Sequence, residues 1–296
     1  MRNPLSSSDN PQFEPQEPDG SEPAAVPSLS PAPSTLNATA IGFHPAAQPP
    51  IENPVWSGWD VLLIVGLAFI TILVSQFVIL LGAQFFFYPR AALADLAQRP
   101  LLLLLSQFVI DGAVGLYLVL LIEGKYHVRF WNAIRWNWPR SEWKLLLIGV
   151  VMLFGLSLLE NVLPMPKETP FEKLFERPRD AYLLAIIAVT LGPLVEELFF
   201  RGIFYPVLAK RWGAAWGIFL TALPFALMHM PQYGWAWGAL LIVLIVGLVC
   251  GTVRAVTRSV GASFLVHVGY NGTQMLIAVV ATHGFRHMEK AVLLHS

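Results

Sequence analysis

The sequence predicts an all-α fold, a polytopic membrane helical bundle of about seven (six to eight) transmembrane helices behind a disordered N-terminal arm. Three observations carry that prediction. Of the 296 residues, 55% are hydrophobic and only 13% are charged, with a mean hydropathy of +0.59, whereas a soluble domain carries about 25% charged residues. Apolar runs close to the ~20 residues that cross a bilayer follow one another from position 60 to position 281. Ahead of them, residues 1–55 hold 12 of the 23 prolines among Ser, Ala and acidic residues. Such a segment buries too little apolar surface to offset its chain entropy.

Taken in order, the spans are expected at 60–82, 101–122, 143–163, 181–205, 213–229, 235–253 and 262–281. Trp56 and Trp59 precede the first, and Trp131, Trp136, Trp138 and Trp143 cluster before the third, as interfacial anchors do. Pro231 closes the fifth. The segment from Gly202 to Trp212 is expected to lie along the interface, where Lys210 and Arg211 are at home. The organisation is then a Pro-rich arm (1–55), N-terminal membrane helices (56–179), a catalytic membrane domain (180–282) and a C-terminal tail (283–296).

Charge sets the remaining boundaries. Formal net charge is zero, so the expected partner is the lipid bilayer and no nucleic acid. The polar N-terminus predicts no cleavable signal peptide. The one cysteine, Cys250, rules out an internal disulfide and a cysteine-based zinc site. Lys125, Arg129, Arg135, Arg140, Lys210, Arg211, Arg254 and Arg258 fall on the N-terminal side of a seven-span layout, against Lys167, Lys173, Arg177 and Arg179 opposite. The positive-inside rule then places the N-terminus in the cytoplasm, and a plasma (inner) membrane is the expected location.

The stretch from Leu191 to Gly202 holds Glu196, Glu197 and Arg201 within an apolar run. Each ionisable residue there costs about 2.5–3.5 kcal/mol on insertion scales, so three in six residues point to a task. Glu197 and Arg201 share a helical face and can pair, while Glu196 sits about 100° round and can point elsewhere. Two further constellations stand at span depth: Phe225 with His229, and His267 with Asn271 one turn apart. Carboxylates, histidines and an amide from three helices can activate water and stabilise an oxyanion. Burial and a neighbouring carboxylate both suit Glu196 to act as a base.

Each constellation also has a plain reading. Glu197–Arg201 could be a buried ion pair that fixes helix packing. His229 could be interfacial, and His267–Asn271 could be interhelical glue. Asp111 is an intramembrane acid with no motif around it, in a packing or substrate-path role. Glu160 closes the third span at the interface, and His283, His287 and His295 belong to the solvated tail. Gly247 and Gly251 predict close helix packing. Phe225 packs beside His229 without chemistry of its own. There is no His-Glu-x-x-His helix, no Gly-x-Ser-x-Gly elbow and no Gly-x-x-x-x-Gly-Lys loop.

These residues resemble the family of CAAX prenyl proteases and bacteriocin-processing, lysostaphin-resistance-like endopeptidases. Its pattern of Glu-Glu-x-x-x-Arg, Phe-x-x-x-His and His-x-x-x-Asn is present without substitution at Glu196, Glu197 and Arg201, at Phe225 and His229, and at His267 and Asn271. Pro193 and Gly202 also look like the family, and the similarity covers about 180–282. The resemblance implies an intramembrane endopeptidase acting on a peptide or protein substrate at the membrane. Glu196 would be the base on a water placed by His229, with His267 and Asn271 as the oxyanion site and Glu197–Arg201 as the orienting pair. No cofactor is required on that reading. The family is also described as metal-dependent, in which case Glu196, His229 and His267 would hold zinc and leave a fourth position for water.

Two other classes compete. One is a non-catalytic membrane scaffold, regulator or bacteriocin self-immunity protein on the same fold, which has no need of the complete polar set. The other is a small transporter, for which the break at Gly192-Pro193 has no partner in the other half. Straight helices with these boundaries carry one conflict: Glu196 and His267 lie about 10 Å from the proposed cytoplasmic side and His229 about 24 Å.

Overall fold

A computed structural model describes residues 52–287, apart from 167, 168, 176 and the side chain of 173. Residues 1–51 of the expected arm, Lys167, His295 and the rest of the tail beyond 287 lie outside the described residues. Among the described residues the fold is all-α, with no strand.

Helix α1 (Gly58–Phe86) opens at Ser57, whose N–H and Oγ–H both donate to Asp60 at 2.8 Å. The Asp60 carboxylate also takes Tyr126 Oη–H at 2.7 Å and the Lys125 ammonium, which ties the start of α1 to the end of the next long helix. Little of α1 is buried, and Leu62, Phe69 and Phe77 are each at least 60% exposed. Large apolar side chains exposed along a whole helix are what a lipid-facing helix requires.

After the short α2 (Leu93–Ala97), α3 (Pro100–Val119) begins on a proline, which needs no N–H in the first turn. It widens into a π turn at Leu120–Lys125. A short α4 (Phe130–Ala133) leads to α5 (Glu142–Glu160), and a 3-10 turn at Glu172–Phe175 leads to α6 (Pro178–Val189). Then come α7 (Leu191–Glu197), a second π turn (Leu198–Phe204), α8 (Tyr205–Met228), a 3-10 turn (Met230–Tyr233), α9 (Trp237–Thr257) and α10 (Val260–Ala281).

Among the described residues, six helical runs are long and apolar enough to cross a membrane, within the expected range of six to eight. The fifth span begins at 213 as expected, but the fourth extends past 205 as helix up to that point. They are one run, Pro178–Met228, of 51 residues, about twice what a bilayer needs. The run is broken at Gly213, whose φ of 83° and ψ of 167° suit glycine alone. Beyond this corner the chain doubles back, since a Cβ added at Gly217 would lie 2.9 Å from Ala209 Cα. Residues eight apart on a straight helix would be about 12 Å apart. The helix therefore continues through Gly202–Trp212 and turns only at Gly213.

α10 packs along α5, α8 along α9 and α1 along α3. One core joins Ile64, Leu118, Ile122, Leu198, Ile203 and Val260, and another joins Leu145, Leu153, Val246, Val266 and Tyr270. At one end of the bundle the backbone of Val260 donates to Arg135 O and Ser259 Oγ–H to Asn137 O. Glu52 meets Arg135 and Arg254 at that same end. The residues before α1, the loop 126–141 and the turn at 258–259 thus share an end, as the charge count groups them.

Candidate active site

Glu196 and Glu197 close α7 just before the π turn, and as helix neighbours about 100° apart their carboxylates leave in different directions. Glu197 is fully buried and its Oε1 accepts from Arg201 Nη1 at 2.9 Å. Arg201 spends Nη2 on the Gly247 carbonyl at 2.9 Å, and its Nε has no hydrogen-bond partner among the described residues. Glu197 Oε2 accepts from Ser263 Oγ–H at 2.5 Å. A buried carboxylate is tolerated only when it is paired and hydrogen-bonded in this way.

Gly247 brings α9 close enough to be reached. A side chain there would sit 3.1 Å from Ala222 and from the Phe225 ring, and Gly251 likewise meets Ile218 at 3.0 Å. The predicted close packing at these two glycines is therefore present, between α9 and the returning limb of α8.

His267 uses both ring nitrogens. Nδ1 lies 3.0 Å from Glu197 Oε1, and Nε2 lies 3.8 Å from Glu196 Oε2. His229, at the end of α8, has Nδ1 2.8 Å from the Phe225 carbonyl and Nε2 3.8 Å from Glu196 Oε1. A carbonyl only accepts, so Nδ1 of His229 carries the proton and a neutral ring presents a lone pair at Nε2. The conflict in depth disappears with the corner at Gly213. Glu196 and His229 are nearly equidistant from it along the chain, about 25 Å on each limb.

Phe225 does more than pack. Besides its carbonyl, its ring lies 4.5 Å below the Arg201 guanidinium, 4.9 Å from the His229 ring and 5.8 Å from that of His267. The aromatic face thus supports the cation and both imidazoles. Asn271, one turn beyond His267, donates Nδ2–H to Ala188 O at 2.8 Å. An amide nitrogen has two N–H groups, so one remains.

Glu196, His229, His267 and Asn271 line one cavity of about 510 Å³, together with Phe225 and Tyr233. Glu196, whose side chain is 21% exposed, opens to it, while Glu197 stays behind in the wall. Asp111 is buried in α3 and is not part of this lining. Its Oδ1 accepts from Gln107, which does line the cavity, and its Oδ2 has no partner among the described residues.

Glu196, His229 and His267 fit a metal by donor chemistry, with two imidazole Nε2 atoms aimed at one carboxylate. The contact from His267 Nδ1 to Glu197 is the support that metal-bound imidazoles usually have. Glu197, Cys250 and His267 also bring ligand-type atoms within 4.8 Å of one another. That set is the poorer candidate, because both Glu197 oxygens are already taken by Arg201, His267 and Ser263.

Sequence reasoning missed Ser263 and the Gly247 carbonyl. Ser263 stands one turn before His267 on the same face, which was a readable signal. A backbone carbonyl on another helix leaves none.

Residues 178–273 match the model of a protein family described as Type II CAAX prenyl endopeptidase Rce1-like. This is the family that the three motifs resemble, and all six expected site residues fall inside the matched stretch. The match implies an intramembrane protease. No curated protein and no solved structure matches the chain.

Proposed function

We propose that this protein is an intramembrane endopeptidase that hydrolyses peptide bonds of membrane-associated proteins or peptides, of the CAAX-processing type, with water activated by Glu196. The observation that supports it is the convergence of His229 Nε2 and His267 Nε2 on the Glu196 carboxylate, each at 3.8 Å, at the wall of a 510 Å³ cavity. Two ring nitrogens and a carboxylate at that spacing leave room for one water among them.

In this mechanism the water donates one O–H to Glu196 and the other to His229 Nε2. As its oxygen attacks the scissile carbonyl carbon, Glu196 takes the proton and the carbonyl π pair moves to oxygen. The oxyanion is met by the free N–H of Asn271 and by His267 when Nε2 is protonated, with Glu197 as its counter-charge. Glu196 then returns the proton to the leaving nitrogen as the C–N bond breaks. Glu197 and Arg201 hold His267 in register and do not touch the substrate.

Zinc is the second reading, favoured by the two Nε2 atoms converging on one carboxylate. Glu196, His229 and His267 would hold it, and it would supply Lewis-acid activation of water. Direct activation by Glu196 ranks first because Asn271 suits an oxyanion donor better than a ligand. The protein resides in a plasma (inner) membrane, with the basic end that gathers Arg135, Arg254 and Arg258 towards the cytoplasm.

The test is cleavage of a peptide library, including farnesylated C-terminal peptides, by purified wild type and Glu196→Gln, with and without a strong chelator. Cleavage that is lost in the variant and resists chelation supports the glutamate mechanism. Loss on chelation with recovery on adding zinc moves Glu196, His229 and His267 to ligands. Cleavage by Glu196→Gln at the wild-type rate sinks both versions.

A further inference from the structure

The π turn that carries Arg201 has an incompletely satisfied backbone. Tyr205 N–H donates to Phe200 O. The next residue, Pro206, has no N–H, so the Arg201 carbonyl finds no donor further along its own helix. A buried carbonyl in that position needs a partner from elsewhere. It comes from α9, where Arg254 Nε–H reaches Arg201 O at 3.2 Å.

Arg254 is 1% exposed and is itself held from outside the helices of the site. Glu52 Oε1 accepts from Arg254 Nη1 and from Arg135 Nη1, each at 3.0 Å. Glu52 is also buried, so the pair is a shielded one. A few residues on, the buried Trp56 donates Nε1–H to Ile203 O at 2.8 Å, a second hold on the same turn. Both residues precede α1 and lie outside the stretch that matches the family model.

We propose that Glu52 and Trp56 are positioning residues for the active site, holding the π turn in the shape that directs Arg201 at Glu197. Its catalytic meaning rests on the endopeptidase reading, whereas the hold on the turn does not. Without Glu52 the buried Arg254 loses its carboxylate and must swing towards water or carry an unpaired charge. The swing frees Arg201 O, and a guanidinium left in place without its carboxylate holds that carbonyl less firmly, so in both cases the turn can shift. Arg201 then slides against Glu197, and through Glu197 the aim of His267 Nε2 at Glu196 is lost.

The test uses the full chain in detergent. Backbone hydrogen exchange is followed over 198–206 and over α3, and ¹⁵N-histidine spectra follow His267. Glu52→Gln and Trp56→Phe should each speed exchange at 198–206 at least tenfold while α3 keeps the wild-type rate. The His267 Nδ1 signal should move with it. With a cleaved peptide, kcat should fall about tenfold and KM should stay within about twofold. Glu142→Gln, at the exposed start of α5, should change none of these.

Unchanged exchange at 198–206, acceleration spread equally over α3, or an unmoved His267 signal overturns the proposal. Should Glu52→Gln not fold, Trp56→Phe decides alone, since it leaves every charge in place. Exchange and spectra need no substrate. A turn that loosens in a chain that cleaves none of the peptides keeps the hold and leaves the scaffold reading standing beside the endopeptidase. An unmoved turn in a chain that cleaves refutes the hold and keeps the endopeptidase.

Discussion

His229 Nε2 stands 3.8 Å from Glu196 Oε1, and the corner at Gly213 is what brings them to one depth. Gly213 has a φ of 83° that only glycine adopts cheaply. Gly213→Ala should cost about 1–3 kcal/mol. It should also lower kcat by misplacing His229 against Glu196. Chemical unfolding in detergent and turnover on the same preparation check both halves. A variant of wild-type stability would remove the claim that this backbone needs glycine.

Glu197 and Arg201 are buried together, so breaking the pair differs from removing it. Glu197→Gln leaves the guanidinium without its counter-charge and should destabilise by about 3–5 kcal/mol. Glu197→Gln with Arg201→Met should recover part of that loss, yet remain inactive because His267 is no longer held. Thermal unfolding of the two single variants and the double variant measures the coupling. Strict additivity would mean that the two side chains do not act as a pair.

Asn271 is expected to act on the oxyanion through its free N–H. Asn271→Ala should lower kcat about 10²–10³-fold, as loss of one oxyanion donor does, with a smaller change in KM. It also strips Ala188 O of its donor, so a modest loss of stability should accompany it. An equal fall for a bound ground-state analogue would assign Asn271 to substrate binding.

His229 is expected to place the water through Nε2. His229→Ala should lower kcat about 10²-fold or more, and small imidazoles added in solution should restore part of the rate. On the preferred reading neither variant nor wild type responds to a chelator. A response in wild type that is lost in His229→Ala would mark His229 as a metal ligand.

Much of the fold was legible because hydropathy and length are local properties. The apolar runs from Gly58 to Ala281 read directly as spans, and Glu196, Glu197, Arg201, His229, His267 and Asn271 stood out as polar residues in hydrocarbon. The sequence places the fifth span from 213, where the corner stands, but ends the fourth at 205, because Lys210 and Arg211 make a stretch that stays helical to 212 look interfacial. A corner is a matter of one backbone dihedral. Pro206 was a visible signal for the widened turn, since a residue without an N–H disturbs the helix before it.

Composition and residue order are enough to mark this chain as a helical membrane protein and to show which polar side chains it keeps at depth. Each insertion cost is set residue by residue, whatever the packing. The four-residue spacing to Arg201 already marked Glu197 as the carboxylate that can be held, and the tertiary fold added the partners that complete the hold. Glu196 and Glu197 are chemically identical neighbours, and their separation depends on Arg201, Ser263 and His267 arriving from one side. The fold also decided that Glu52 and Trp56, far from the motifs in the chain, hold the turn beneath them. Such partners meet through hydrogen bonds across helices, and no local pattern in the sequence records them.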